Sequence, residues 1–248
     1  GRPDLVIGHF STEMMALYHN EGNGLFIDEG PRSAIGRATL LTLTFGCFFF
    51  DFDLDGWLDI FAANGHVADD VERVQSQVTY AQRPQLFQNL GTGGFEAIAP
   101  PPSTALDTPQ VGRGAAYADL DNDGDLDVVL TANGGQARLL RNDGGNDNGM
   151  LRVRTIGTSS NRDALGARVE ITAGGETRSL RVKTGSSYLS QSELPLTFGL
   201  GGHASVDTIR VTWPGGQVDT VEAIPANQAI TIREGAGVVD RLVIPVER

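Results

Sequence analysis

A single cysteine, Cys47, stands in the 248 residues, so no intrachain disulfide can form and no zinc-type cluster of cysteine and histidine is available. It lies in the apolar run Phe45-Gly46-Cys47-Phe48-Phe49-Phe50 and reads as a small buried side chain. Basic residues are scarce: 19 lysines and arginines face 31 aspartates and glutamates, giving a formal net charge of -12 and a pI near 4.7. That balance argues against nucleic acid and anionic membrane as partners. No apolar run is long enough to span a bilayer, so no membrane insertion is expected. No stretch has the period of a helix of normal length. Neither a G-x-S-x-G elbow nor a Walker loop is present.

Aspartate at alternate positions is what the chain has instead. Asp51, Asp53, Asp55, Gly56 and Asp59 form a D-x-D-x-D-G-x-x-D loop, and Asp119, Asp121, Asp123, Gly124 and Asp127 repeat it. Each loop lies between two apolar, strand-like runs. Side chains at positions 1, 3 and 5 of a tight loop converge, and glycine at 6 permits the sharp turn. Carboxylates so close repel one another without a cation, and an all-oxygen set suits a hard ion, Ca²⁺ before Mg²⁺. Position 7 offers a backbone carbonyl (Trp57, Asp125) and position 9 a fourth carboxylate (Asp59, Asp127). An EF-hand needs a glutamate at position 12, where this chain has Ala62 and Leu130, and flanking helices where it has strands. The expectation is two Ca²⁺ sites, each joining two strands, with the ion in an architectural role. Ordinary polar turns would explain one such loop, but not the same register twice.

The repeat extends further. Leu17-Tyr18-His19-Asn20-Glu21-Gly22 matches Leu86-Phe87-Gln88-Asn89-Leu90-Gly91, and Leu139-Leu140-Arg141-Asn142-Asp143-Gly144 begins the same way. A unit therefore reads strand, acidic loop, strand, link, L-x-x-N-x-G turn, strand: the four strands of a β-propeller blade. The opening Gly1-Arg2-Pro3-Asp4 aligns with Gly56-Trp57-Leu58-Asp59, placing Gly1 at position 6 of a further loop. The sequence thus reads as the C-terminal part of a longer protein, with a signal peptide expected upstream. Residues 66–85 are an insertion in one blade, opened by His66, and Asn142 to Gly149 is a polar boundary. Beyond it, segments such as Ala167-Arg168-Val169-Glu170-Ile171 and Ile209-Arg210-Val211-Thr212-Trp213 alternate apolar and polar residues, as half-buried sandwich strands do. Gly174-Gly175 and Pro214-Gly215-Gly216 supply turns. The fold expected is all-β: about two and a part propeller blades over 1–149, a small β-sandwich over 150–235, and a weak apolar-polar tail over 236–248 with room for one more strand.

These residues resemble a known family. The acidic units are similar to the FG-GAP or VCBS repeats of integrin-like propellers. Ser160-Asn161-Arg162-Asp163-Ala164-Leu165-Gly166, Gly185-Ser186-Ser187-Tyr188-Leu189-Ser190, Phe198-Gly199-Leu200-Gly201 and Val211-Thr212-Trp213-Pro214-Gly215-Gly216 resemble the ASPIC/UnbV domain that follows such propellers in the cartilage acidic protein 1-like family and in many bacterial secreted proteins. The resemblance implies an extracellular or periplasmic calcium-binding propeller with a small β domain attached, and it implies no particular reaction.

No catalytic constellation stands out among the four histidines, and the leading reading is a non-enzymatic module for adhesion, matrix or ligand recognition, with a protein or glycan as its partner. One alternative is an enzyme or accessory protein of secondary metabolism using the face near His66 and Arg83. Another is a carbohydrate-binding module, with Tyr188 and Trp213 as stacking platforms, although Trp213 suits a core position better. Arg162, in the turn Asn161-Arg162-Asp163, is a candidate contact for an acidic ligand.

Overall fold

The computed structural model describes residues 2–144 and 147–245. Gly1, assigned above to a truncated loop, lies outside the described residues, as do Gly145 and Asn146 of the polar boundary and 246–248 of the tail.

Three antiparallel meanders come first. One comprises β1 (Leu5–Ile7), β2 (Ala16–Gly22) and β3 (Leu25–Asp28). The next comprises β4 (Thr44–Phe50), β5 (Asp59–Asn64), β6 (Gln85–Asn89) and β7 (Phe95–Ala97). The third comprises β8 (Gly112–Ala118), β9 (Asp127–Ala132) and β10 (Arg138–Leu140). These are the sheets of a partial propeller. Each acidic loop is the connection between the first two strands of its sheet, in the same register: Phe50 pairs with Asp59, and Ala118 with Asp127.

Strand β5 is buried along its whole length because it serves two cores. Its alternation sends Ile60 and Ala62 to one cluster with Met15, Leu17 and Phe87, and Phe61 and Ala63 to another with Phe48, Leu126 and Val128. The rings of Phe48 and Phe61 stack at 5.5 Å in the second cluster. Half-buried Cys47 packs against the first cluster, and burial pushes its thiol pKa up. The helices are short, α1 (Ala34–Thr39) and α2 (Val71–Val74).

Eight further strands follow: β11 (Gly149–Ile156), β12 (Arg168–Ala173), β13 (Glu176–Arg181), β14 (Leu196–Gly201), β15 (Ser205–Thr212), β16 (Val218–Pro225), β17 (Gln228–Arg233) and β18 (Gly237–Val243). They form two four-stranded sheets, β14-β11-β17-β18 and β13-β12-β15-β16, which share one core that includes Val153, Ile171, Phe198, Val211, Trp213 and Ile232. This is the sandwich. All its pairings are antiparallel except β11 with β17. Gly174 and Gly175 join β12 to β13 with φ of 58° and 85°, a two-residue turn that glycine favours.

Candidate functional site

The backbone of the acidic loops repeats as closely as their sequence does. Position 4 is left-handed in both, Leu54 at φ 55° and Asn122 at φ 64°, and so is the glycine at position 6, Gly56 at 95° and Gly124 at 103°. The side chain at position 5 accepts the N–H at position 7: Asp55 from Trp57 at 2.8 Å, and Asp123 from Asp125 at 3.1 Å. These short-range bonds coil the loop so that its carboxylates point inward.

Oxygens of Asp51, Asp53 and Asp59 lie within 4.8 Å of one another, as do those of Asp119, Asp121 and Asp123, and each group could hold a metal ion. The crowding is costly for the bare protein. Burial, and then the charges of Asp59, Asp55 and Asp53, hold the Asp51 pKa well above the usual carboxylate range. Burial raises Asp59 to about 7 against two stabilising backbone donors, and it also raises Asp55, Asp119 and Asp123. One Asp51 oxygen accepts the Gly56 N–H at 2.9 Å, while the other, Oδ1, is buried with no hydrogen-bond partner. An orphaned carboxylate oxygen inside an all-oxygen cluster is what a hard divalent cation requires, so the donor set fits calcium.

The other residues expected at the sites are not among those closely grouped oxygens. Asp55 caps Trp57 and lies beside the Arg178 guanidinium. Trp57 is exposed, with its ring against Gly91. Asp125 is fully buried.

Position 9 has a structural duty that the spacing alone did not reveal. Asp59 accepts the N–H of Phe52 at 3.0 Å and of Asn89 at 2.7 Å, tying the loop to the hairpin asparagine of the next strand. Asp127 does the same with Leu120 at 3.0 Å and Asn142 at 2.9 Å. Asp4 likewise accepts the Asn20 N–H at 2.8 Å. The brace therefore recurs in all three units. It also explains the L-x-x-N-x-G motif, whose asparagine accepts the glycine N–H two residues on at 2.9 Å (Asn20), 3.1 Å (Asn89) and 3.4 Å (Asn142).

Sequence reasoning missed what surrounds the loops. The first is clasped from the sandwich side: Arg178 donates to the Gly56 carbonyl at 3.1 Å, and Asn148, just ahead of β11, donates to that of Asp53 at 2.8 Å. The Gly201 N–H donates to the Leu54 carbonyl at 2.9 Å, main chain to main chain, from the end of β14 to position 4 of the loop. A side chain at Gly199 would collide with Asp51, since a Cβ there would lie 2.2 Å from its Oδ2. Leu54 itself is fully buried against Met150 and Ile244. The second loop instead meets a cation: Arg152 on β11 lies 3.3 Å from Asp119 and grips Glu193 with both guanidinium nitrogens.

Several other candidates are engaged by neighbouring groups. His66 is buried, edge-on to Phe10 at 5.6 Å, and accepts the Ala68 N–H at 3.1 Å through Nδ1. Arg83 pairs with Asp107 at 3.0 Å. Trp213 lies in the sandwich core with its indole N–H on Asp219 at 2.8 Å, so it offers no stacking face, whereas Tyr188 is partly exposed and edge-on to Phe45. Among the described residues, no helix is long and apolar enough to cross a membrane.

Comparison with known proteins agrees with this architecture. The FG-GAP-like repeat family matches residues 1–62 and 69–130, and the ASPIC and UnbV family matches 157–239. The chain is similar to cartilage acidic protein 1 of Mus musculus, 30% identical over 258 residues, covering 82% of this chain and 38% of the relative. Against cartilage acidic protein 1 of Homo sapiens it is 30% identical over 173 residues, covering 68% and 24%. The chain thus spans less than two fifths of the length of either relative.

Proposed function

Because this chain belongs to the FG-GAP-like repeat family and carries an ASPIC and UnbV domain, we propose that it is part of an extracellular or periplasmic calcium-binding module for adhesion, matrix or ligand recognition. Calcium is structural in this reading. Asp51, Asp53, Asp55 and Asp59 with the Trp57 carbonyl would hold one ion, and Asp119, Asp121, Asp123 and Asp127 with the Asp125 carbonyl a second. The ion would supply positive charge where burial and mutual repulsion now hold the carboxylate pKa values up. The relatives' name, which associates them with cartilage and with acidity, supports an extracellular setting.

The observation that carries the reading is the buried, unpartnered oxygen of Asp51 inside its carboxylate cluster. A metal that binds only the folded chain stabilises it by about 2.7 kcal/mol per site at a hundredfold excess over Kd. EDTA should therefore lower the melting temperature and Ca²⁺ restore it. Replacing Asp121 and Asp123 with asparagine should remove one site's share of that response. A melt indifferent to both treatments would reject the calcium role.

A further inference from the structure

A cleft lies away from the acidic loops, in the sandwich. It has a volume of about 570 Å³, within the range of small-molecule sites, and its lining includes Arg154, Ile156, Arg162, Asp163, Leu194 and Arg233. Strand pairing explains how the arginines meet. On the parallel strands β11 and β17, Arg154 sits beside Thr231 and Ile156 beside Arg233, while the alternate residues Thr155 and Ile232 turn into the core. Arg154, Ile156 and Arg233 therefore share the outer face.

Arg162 reaches the same place from the loop after β11, and that loop is fixed. The Glu234 carboxylate, next to Arg233, accepts the N–H groups of Thr158, Ser159 and Ser160 at 2.7 to 2.8 Å and the Ser160 hydroxyl at 2.8 Å. The Gly157 N–H donates to the Arg162 carbonyl at 3.0 Å, and Asn161 brackets Leu165 from both sides. These bonds engage Glu234 with the loop and away from the guanidiniums. Among the described residues, Arg154, Arg162 and Arg233 make no ion pair, in a chain where acids outnumber bases by 31 to 19. Three guanidiniums against the single carboxylate of Asp163 leave a formal surplus of two positive charges in the cleft.

We infer that this cleft binds a small organic oxyanion, its charged group held by Arg154, Arg162 and Arg233 and its apolar body lying on Ile156, Leu194 and Pro195. Guanidinium suits the task because its planar fork meets two oxygens of a carboxylate, sulfate or phosphate at once. The site is separate from the calcium reading and stands or falls independently of it.

The test is a titration of the full chain in low-salt buffer with sodium sulfate, succinate, phenyl phosphate and, as a neutral control, glucose, followed by the arginine Nε–H NMR signals. The three anions are expected to give saturable shifts at the three arginines, phenyl phosphate most tightly, and glucose none. The double variant Arg154→Gln/Arg233→Gln should bind at least ~tenfold more weakly with an unchanged melting temperature, because both side chains are exposed. Asp163→Asn should bind more tightly. Shifts that never saturate, or a double variant that titrates like the parent, would overturn the site. Equal affinity for sulfate and phenyl phosphate would overturn the apolar part of it.

Discussion

The two acidic loops share a pattern, a backbone and a register, yet they face different neighbours. The innermost carboxylate of the first, Asp51, abuts the bare backbone of Gly199 and keeps an oxygen without a donor. Its counterpart Asp119, whose buried oxygens also lack a hydrogen-bond partner, faces the Arg152 guanidinium at 3.3 Å. At position 4 the first loop places a leucine in a left-handed conformation and seals it under the sandwich, whereas the second places an exposed asparagine there. Asparagine tolerates that conformation and leucine does not, so Leu54 is strained and held by what it buries. One motif thus serves as a socket for another part of the molecule in one blade, and as an ion-paired strap in the next.

Removing Arg152 should test the second half of that contrast most severely. Arg152→Gln leaves Asp119 and Glu193 in a largely buried site with no cation between them, and should cost about 3–5 kcal/mol by urea unfolding. A loss below about 1 kcal/mol would mean that the strap is ornamental. Leu54→Ala should cost about 2–3 kcal/mol from the cavity it opens against Met150 and Ile244, while Asn122→Ala at the matching position should cost under about 1 kcal/mol. Equal losses would erase the distinction between socket and strap.

With calcium chelated, the innermost acids should respond with opposite signs. Asp51→Asn removes a crowded, poorly solvated charge and should raise the melting temperature. Asp119→Asn removes the partner of Arg152 and should lower it, each effect being on the order of 1 kcal/mol.

The smallest effect contrasts the loops with Glu234. Hydrogen bonds from Ser160, Thr158 and Ser159 draw its pKa down to about 2. A depressed carboxylate stabilises the fold above its ordinary pKa and loses that contribution as pH falls through the folded value. Glu234→Gln should therefore flatten the decline in melting temperature between about pH 4.5 and 2. Asp59, raised to about 7 by burial, has the opposite sign: in chelator, its contribution should fade as pH rises from about 4 through 7, and calcium should abolish that trend.

Much of this was legible because it depends on local spacing. Alternate aspartates ending in glycine specify a coiled loop wherever they occur, and the period-two runs from Leu151 onward specify half-buried strands. The Trp213 core position also follows from its place beside a Pro-Gly turn. What the sequence concealed depends on tertiary neighbours. Nothing in the run Leu151-Arg152-Val153-Arg154 distinguishes the arginine that grips Asp119 from the one that lines a cleft, because both sit on the same face of one strand. The brace at Asp59 and Asp127 was hidden by its own motif, since a carboxylate at that spacing reads equally as a ligand or as an acceptor for a distant N–H. Leu54 gave no signal at all: its left-handed backbone becomes tolerable only once Met150 and Ile244 are in place.

The parallel pairing of β11 with β17 carries a consequence for biosynthesis. The strand that opens the sandwich finds its central neighbour only near the far end of the chain, so a nascent polypeptide emerging from the ribosome holds β11 exposed until Gln228 and its successors appear. Ring closure over so long a span is slow, because chain entropy is lost before any contact repays it. Until that moment the edge of β11 stands open to proteases and to strands of other molecules, and truncation ahead of Gln228 would make that vulnerability permanent.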